Sequence, residues 1–147
     1  MGKSQIGLRY TERNLGYTEI SEEGLEEIDI KPVVYLQLPI PFTIKKLYQK
    51  ISYALGLPEL LKRMSIEEAQ RQVIYLLTTH KVEVLILDEL DYILTSNVQQ
   101  KAAMNAIKMI ANKANITLVL MGTPEVEPLF DEEWCNLFKA IEEQLEK

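Results

Sequence analysis

The sequence predicts an α/β fold in which a parallel β-sheet is joined by helical crossovers. Three short runs are apolar at successive positions, which favours strands buried between two layers of helices. Between these runs, apolar residues recur with the spacing of amphipathic helices. An order of strand, two helices, strand, helix, strand is typical of a parallel sheet. The predicted strands are Val33–Leu38, Val84–Leu87 and Ile116–Met121.

Turn and capping signals define the helices between these strands. Residues 44–55 carry one apolar face, and Gly56 followed by Pro58 is typical of a helix end. Two pairs have the spacing of a capping box, which predicts that a helix begins after each serine. They are Ser65 with Glu68, and Ser96 with Gln99.

The two ends of the chain differ from this central pattern. Residues 4–15 indicate a weak helix, and residues 16–31 an acidic linker. Residues 131–147 predict an acidic amphipathic helix whose apolar stripe begins at Trp134. This stripe either covers a face or edge of the sheet or docks a partner. We therefore divide the chain into a core at 1–130 and a C-terminal helix at 131–147.

Length and composition restrict the class of protein. With 147 residues, of which 47% are hydrophobic, the chain has the size and apolar content of one domain. The net charge of −6 argues against a self-sufficient nucleic-acid binder, although residues 31–130 hold eleven basic and nine acidic residues. No apolar run approaches the ~20 residues that span a bilayer. The single cysteine, Cys135, excludes an internal disulfide and fits a cytoplasmic location.

Three motifs carry residue types that handle nucleotides. Gly2-Lys3-Ser4 matches the end of a phosphate-binding loop, where lysine neutralises phosphates and serine ligates Mg²⁺, but a solvated chain end explains so short a motif as well. A buried strand that ends in Asp88 and Glu89 is the Walker B arrangement. There Asp88 would hold Mg²⁺ and Glu89 would orient or deprotonate the attacking water; the alternative is a core strand followed by two solvated acids. Thr123, after the third strand, would sense the γ-phosphate or merely cap a turn.

In this order, the motifs resemble those of the AAA+ P-loop ATPases that regulate DNA transposition, the TniB/TnsC class. The resemblance covers roughly residues 1–130. Its Walker motifs are shared by many ATPases. The strand that leads into Gln37-Leu38-Pro39 and the strand that ends in Gly122-Thr123 are more particular to the class. The implied fold is the parallel sheet of an AAA+ type P-loop NTPase.

The resemblance implies ATP and Mg²⁺ as cofactors and a role for each motif residue. Gly2, Lys3, Ser4 and Asp88 would bind the nucleotide, with Ser4 and Asp88 on the magnesium ion, while Glu89 and Thr123 would be catalytic. Proteins of this class assemble on double-stranded DNA and recruit a transposase and a target-selecting protein. The positions that match their DNA contacts are Thr43, Lys45, Lys46 and Ser65, although a solvated helix face explains Lys45 at least as well.

The sequence also departs from the family pattern. The first strand, the glycine-rich half of the phosphate-binding loop, the fifth strand and the helical lid have no counterpart in the 147 residues. All four arginines precede Asp88, so the positions of an arginine finger and a lid arginine are not filled. We expect a truncated ATP-binding regulator of DNA transposition, with impaired hydrolysis, that joins a homo-oligomer or a full-length relative. The alternative is a non-catalytic interaction module that caps or inhibits a full-length AAA+ relative; a helicase motor would need two such domains.

Overall fold

The computed structural model describes residues 2–24, 26–57, 63–130 and Trp134, and of residues 2–4 it describes the backbone alone. Along these residues, one helix and three strands are followed by two helices, a strand, two helices and a last strand. Their bounds are α1 Gly2–Arg13, β1 Tyr17–Ile20, β2 Glu27–Ile30, β3 Val33–Gln37, α2 Ile44–Ala54, α3 Ile66–Thr79, β4 Val84–Asp88, α4 Asp91–Leu94, α5 Gln100–Ala114 and β5 Thr117–Leu120, followed by a 3₁₀ helix at Pro124–Leu129.

Strands β3, β4 and β5 form a parallel sheet in that order. The register pairs Tyr35 of β3 with Ile86 of β4, and Ile86 with Val119 of β5. Helices α2 and α3 connect β3 to β4, and α4 and α5 connect β4 to β5. The predicted α/β fold with helical crossovers is therefore confirmed. Among the described strands, the central one is β4, which ends in Asp88.

The two faces of the parallel sheet carry different helices. Side chains of one face, such as Val34 and Leu85, share a hydrophobic core with α2, α3 and α5. On the opposite face α1 packs against β3, and Gly7 of α1 lies beside Tyr35 and Ile86. Because side chains alternate between the faces of a strand, Asp88 lies on the same face as Ile86, under α1.

Side-chain caps fix the first turns of α2 and α3. Thr43 Oγ1 accepts a hydrogen bond from the Lys46 amide at 3.1 Å, which begins α2 at Ile44. Ser65 Oγ accepts from the Glu68 amide, and Glu68 Oε2 accepts from the Ser65 amide, both at 3.2 Å. The capping box predicted at Ser65 and Glu68 is thus confirmed.

The second predicted capping box is wrong. Helix α5 begins at Gln100, and the residue before it, Gln99, makes no capping bond with its side chain. The Ser96 hydroxyl instead donates to the Ile93 carbonyl at 2.8 Å and accepts from the Val98 amide at 3.3 Å. These bonds close the turn after α4, because a serine hydroxyl binds backbone groups in turns as readily as at helix starts.

The predicted linker at residues 16–31 is not a simple linker, because it contains an antiparallel hairpin. Tyr17 pairs with Ile30 and Ile20 pairs with Glu27. The hairpin is joined to the end of α3 and the residue that follows it: His80 Nδ1 lies 2.6 Å from the Asp29 carbonyl oxygen, and Lys81 Nζ donates to Glu19 Oε2 at 2.6 Å. Little of the hairpin is buried, since Ile30 is the one buried residue of the two strands.

Near the C-terminal end, Trp134 packs onto the described core. Its side chain is buried, and its ring meets Phe130 edge-on at 5.8 Å between centroids. Lys108 Nζ of α5 lies 5.9 Å from the Trp134 ring centroid. This contact favours the interpretation that the apolar stripe covers its own domain. Except for Trp134, the predicted helix at 131–147 lies outside the described residues, Cys135 included.

None of the helices within the described ranges combines the length and the apolar composition needed to cross a bilayer.

Candidate functional site

The carboxylate of Asp88 is held at the end of the central strand. Its side chain is 3% exposed. The Tyr35 hydroxyl donates to Oδ2 at 2.5 Å, and the Glu89 amide donates to Oδ1 at 2.8 Å. Both oxygens therefore accept hydrogen bonds from protein donors that orient the carboxylate, and carboxylate oxygens are ligands that a hard cation such as Mg²⁺ prefers.

The direction of α1 follows from two glycines. Gly7 lies beside Tyr35 in the middle of β3, whereas Gly16, beyond the end of the helix, lies against Ile30 and Lys31 just before β3 begins. Helix α1 therefore runs opposite to β3, and its amino end points toward the edge where the parallel strands end. A helix advances ~1.5 Å per residue, so Gly2 lies about 7.5 Å beyond Gly7.

This advance brings the first turn of α1 level with the end of the strands. Gln37 lies two residues beyond Tyr35, or about 6.6 Å along the strand, and Gln37 is paired with Asp88. The backbone of the predicted phosphate-binding residues Gly2, Lys3 and Ser4 thus lies in a helix start on the face and at the edge that carry Asp88. The side chains of Lys3 and Ser4 lie outside what the structure describes.

Glu89 follows Asp88 in an unusual backbone conformation. Its φ of 61° lies in the left-handed region, which costs an L-residue roughly 1–2 kcal/mol relative to the usual conformations. The Leu90 amide donates to the Met121 carbonyl at 3.0 Å, so the segment after β4 is bonded to the segment after β5. Strained residues held by such bonds occur often at functional sites. The side chain of Glu89 is partly exposed at this edge.

Thr123 is bonded to a residue that sequence reasoning did not single out. Its amide donates to Asp91 Oδ2 at 3.1 Å, and its hydroxyl donates to Asp91 Oδ1. Asp91 begins the one-turn helix α4, three residues after Asp88. The structure therefore brings Asp88, Glu89 and Thr123 to one edge of the sheet, and Asp91 connects the second and third of the predicted motifs.

The predicted DNA-contact residues lie at the same edge, on the other face. Lys31, next to the start of β3, donates from Nζ to the Ala54 carbonyl at the end of α2 (2.8 Å) and from its amide to the His80 carbonyl at the end of α3 (3.0 Å). Both helices therefore end at the amino edge of the sheet and begin at the carboxyl edge. Their first turns carry Thr43, Lys45, Lys46 and Ser65, of which Lys46 and Ser65 are exposed.

Sequence reasoning missed Tyr35 and Asp91. Nothing in the sequence around Tyr35 indicates a functional role, because the residue simply belongs to an apolar strand. Its hydrogen bond to Asp88, 53 residues away in the chain, depends on the register between β3 and β4. For Asp91 the sequence gives a weak indication of a functional role, because it is an acidic residue that follows the Walker B pair closely, three positions after Asp88.

A nucleotide-bound magnesium ion fits the residues at this edge. Such an ion keeps several waters and takes one or two protein carboxylates or hydroxyls besides the phosphates. The part of the chain that the structure describes contains no group of three or more His, Cys, Asp or Glu side chains that could bind a metal unaided. Asp88 is a buried carboxylate that the Glu89 amide orients beside a helix start, so it fits the protein ligand of such a shared site.

Comparison with known proteins identifies the family. The family model described as "Bacterial TniB protein" matches residues 1–142, which is nearly the whole chain. No curated protein matches the sequence. The chain therefore belongs to the bacterial TniB family, and its role is that of a transposition-related regulator.

Proposed function

We propose that this chain is a nucleotide-responsive regulator of DNA transposition that binds Mg²⁺–ATP between the first turn of α1 and Asp88. One observation carries the proposal. The amino end of α1 and the buried carboxylate of Asp88 occupy the same face and the same edge of the parallel sheet. A helix start favours anionic phosphates, because its unpaired amides and its dipole are positive. A strand-end carboxylate beside it favours the cation that accompanies them.

Each residue of this edge then has a distinct part. Lys3 neutralises the outer phosphates, and Ser4 and Asp88 orient the magnesium ion. Bound magnesium supplies charge neutralisation at the phosphate oxygens. Glu89, at the exposed side of Asp88, orients the attacking water and accepts its proton. Thr123 acts together with Asp91, because its hydroxyl is already engaged by that carboxylate.

Hydrolysis by the isolated chain is expected to be slow. All four arginines precede Asp88 in the sequence, so none of them follows the central strand to neutralise charge on the transferred phosphoryl group. An arginine finger is worth ~10³–10⁵ in rate in related NTPases. Nucleotide binding therefore acts mainly as a signal for assembly.

The proposed assembly is with copies of this chain or a longer relative on double-stranded DNA, together with a transposase and a target-selecting protein. The exposed Lys46 in the first turn of α2, which contains no acidic residue, supports a phosphate-facing role at the carboxyl edge. The Thr43 and Ser65 hydroxyls accept capping bonds from Lys46 and Glu68 amides, so their first contribution is to hold these helix starts in place.

The proposal is tested by titrating a fluorescent ATP analogue into the purified chain with Mg²⁺. We expect saturable binding that Lys3→Ala weakens at least tenfold, whereas Lys113→Ala leaves it unchanged. Lys113 is an exposed lysine in the last turn of α5, at the opposite edge of the sheet, and is the matched control. Equal binding by both variants would contradict the assignment of Lys3.

A second candidate function is a non-catalytic interaction module. It is favoured by large apolar side chains that are exposed on α1, on the hairpin and on the connection between them: Ile6, Leu8, Tyr10, Leu15, Tyr17 and Ile20. Exposed apolar groups that form one contiguous patch are typical of surfaces that meet another protein, and these six all lie within residues 6–20. The same titration separates the two candidates, because the absence of nucleotide binding by the wild-type chain would favour the interaction module.

A further inference from the structure

Tyr35 links the helix α1 to the carboxylate of Asp88. Its ring lies against Gly7, so closely that a Cβ built on Gly7 would be 2.8 Å from two ring carbons. Its hydroxyl donates to Asp88 Oδ2 at 2.5 Å. One side chain therefore contacts both the helix whose first turn approaches the phosphates and the acid proposed to orient the metal ion.

We propose that Tyr35 is the positioning residue of the magnesium site, which fixes the orientation of the Asp88 carboxylate and couples it to the seating of α1. This inference rests on the proposed function, because it assumes that Asp88 holds a nucleotide-bound cation. Tyr35 itself touches neither the nucleotide nor the metal in this scheme.

The hydrogen bonds of Asp88 explain why the hydroxyl matters. The Glu89 amide donates to Oδ1 and the Tyr35 hydroxyl donates to Oδ2, so these two donors help to set the plane of the carboxylate. Removal of the hydroxyl leaves the side chain freer to rotate about its last torsion, which is a broad one. Residues that orient a metal-binding carboxylate in this way typically change metal affinity by 10–100-fold when they are substituted.

Gly7 makes the same arrangement possible from the side of the helix. Any side chain at this position would have to displace the Tyr35 ring or lift α1 from the sheet. A glycine lowers helix stability, but here it permits the close approach of helix and ring. Through the contacts of Tyr35 with Gly7 and with Asp88, the position of α1 is thus linked to the orientation of the carboxylate.

The experiment measures the affinity of the chain for a fluorescent ATP analogue in Mg²⁺ and in EDTA. The affinity in Mg²⁺ divided by the affinity in EDTA measures how strongly the metal ion favours binding. Tyr35→Phe keeps the ring and removes only the hydroxyl. We expect it to lower this ratio about tenfold while the affinity in EDTA stays unchanged. Tyr53→Phe is the control, because Tyr53 is a 70% exposed tyrosine on α2.

Two further variants test the connection through Asp88 and Gly7. In an Asp88→Asn background, Tyr35→Phe should no longer change the ratio, because the residues act as one unit. Gly7→Ala should lower the ratio in the wild-type background as Tyr35→Phe does, and add little once Tyr35 is phenylalanine. Circular dichroism and the unfolding midpoint verify that each variant is folded.

The outcomes separate the two proposals. If the wild-type chain binds the analogue in a Mg²⁺-dependent way and Tyr35→Phe keeps the full ratio, the positioning role is wrong and the proposed function stands. If the effect of Tyr35→Phe persists in Asp88→Asn, the coupling through Asp88 is wrong. If the wild-type chain shows no metal-dependent binding, both the proposed function and the role of Tyr35 are overturned.

Discussion

At the scale of single residues, the strain at Glu89 gives a prediction that does not depend on nucleotide binding. Its φ of 61° suits glycine better than any residue with a Cβ. We expect Glu89→Gly to raise the free energy of unfolding by about 0.5–1 kcal/mol, since the left-handed strain is larger than the entropy that glycine loses on folding. Urea unfolding of the purified variants measures the change.

The matched control is Glu89→Ala, which removes the carboxylate but keeps the Cβ and hence the strain. Its stability should stay near that of the wild-type chain. If alanine stabilised the chain as much as glycine, the gain would come from removing an acid beside Asp88, and the argument from backbone strain would be wrong.

The residue scale also shows where sequence reasoning stops. Asp88 and Glu89 could be found because their motif is local, an apolar run that ends in two acids. The partners of Asp88 and Thr123 could not be found in this way. Tyr35 reaches Asp88 only through the register of β3 against β4. Asp91 reaches Thr123 only because the segments after β4 and β5 are hydrogen-bonded to each other. Single-sequence patterns report which residues are apolar or charged, and they do not report which pairs a fold brings within hydrogen-bond distance.

At the scale of elements, the capping box of α3 yields a stability prediction. Ser65→Ala removes the acceptor of the Glu68 amide and should lower the free energy of unfolding by about 1 kcal/mol. Ser65→Asp should retain most of that stability, because aspartate is also a good N-cap and its charge is favourable at a helix start. Thermal or urea unfolding of the two variants tests the assignment, and equal losses in both would contradict it.

Elements with strong periodicity could be predicted, and those without it could not. The apolar patterns of helix α2 and of the three parallel strands each favour one type of secondary structure. Their predicted bounds agree with the structure within a few residues. The hairpin of β1 and β2 was missed because most of its residues are exposed and many are acidic. The start of α5 was misplaced because Ser96 binds the end of α4 instead of the first turn of α5.

At the scale of the whole molecule, the hairpin is attached to the parallel sheet region through a pH-sensitive ion pair. Lys81 donates a hydrogen bond to Glu19, which lowers the pKa of the Glu19 carboxyl below its ordinary 4.5 and raises the pKa of Lys81 above 10.5. Glu19 therefore stabilises the fold above pH 4.5 and loses this contribution as the pH falls through its lowered pKa. Lys81 contributes below pH 10.5 and loses it as the pH rises through its raised pKa.

We expect Glu19→Gln to lower the unfolding midpoint slightly at pH 7, and this effect should shrink as the pH falls below 4.5 and through the lowered pKa of Glu19. The effect is small because the ion pair lies at the surface, where the Lys81 side chain is 60% and the Glu19 side chain 35% exposed. Unfolding curves at several pH values and at two salt concentrations measure it. Glu83→Gln provides a control, since Glu83 is an exposed acid at the same edge of the sheet. A difference that grows toward low pH would contradict the sign argued for Glu19.

The whole-molecule arrangement was largely implied by the order of elements. In a parallel sheet with helical crossovers, all loops after strands gather at one edge, so Asp88, Glu89 and Thr123 had to lie close together once the fold was correct. The reversed direction of α1, which brings its first turn to that edge, needed the structure, because it follows from the contacts of Gly7 and Gly16. The boundary between a core at 1–130 and a separate C-terminal helix stays a prediction.

The central claim is that a metal-bound nucleotide lies between the first turn of α1 and the end of β4. Backbone amide signals of the ¹⁵N-labelled chain test it most directly when Mn²⁺ replaces Mg²⁺ with ATP, because Mn²⁺ takes similar oxygen ligands and broadens nearby signals. We predict strong broadening at Glu89, at Thr123 and in the first turn of α1. Glu83, about 16 Å from Asp88 along the strand, should keep its signal. So should Thr117, whose amide donates to the Glu83 carbonyl at the same amino edge. Broadening at that amino edge, or none at Glu89, would contradict the account.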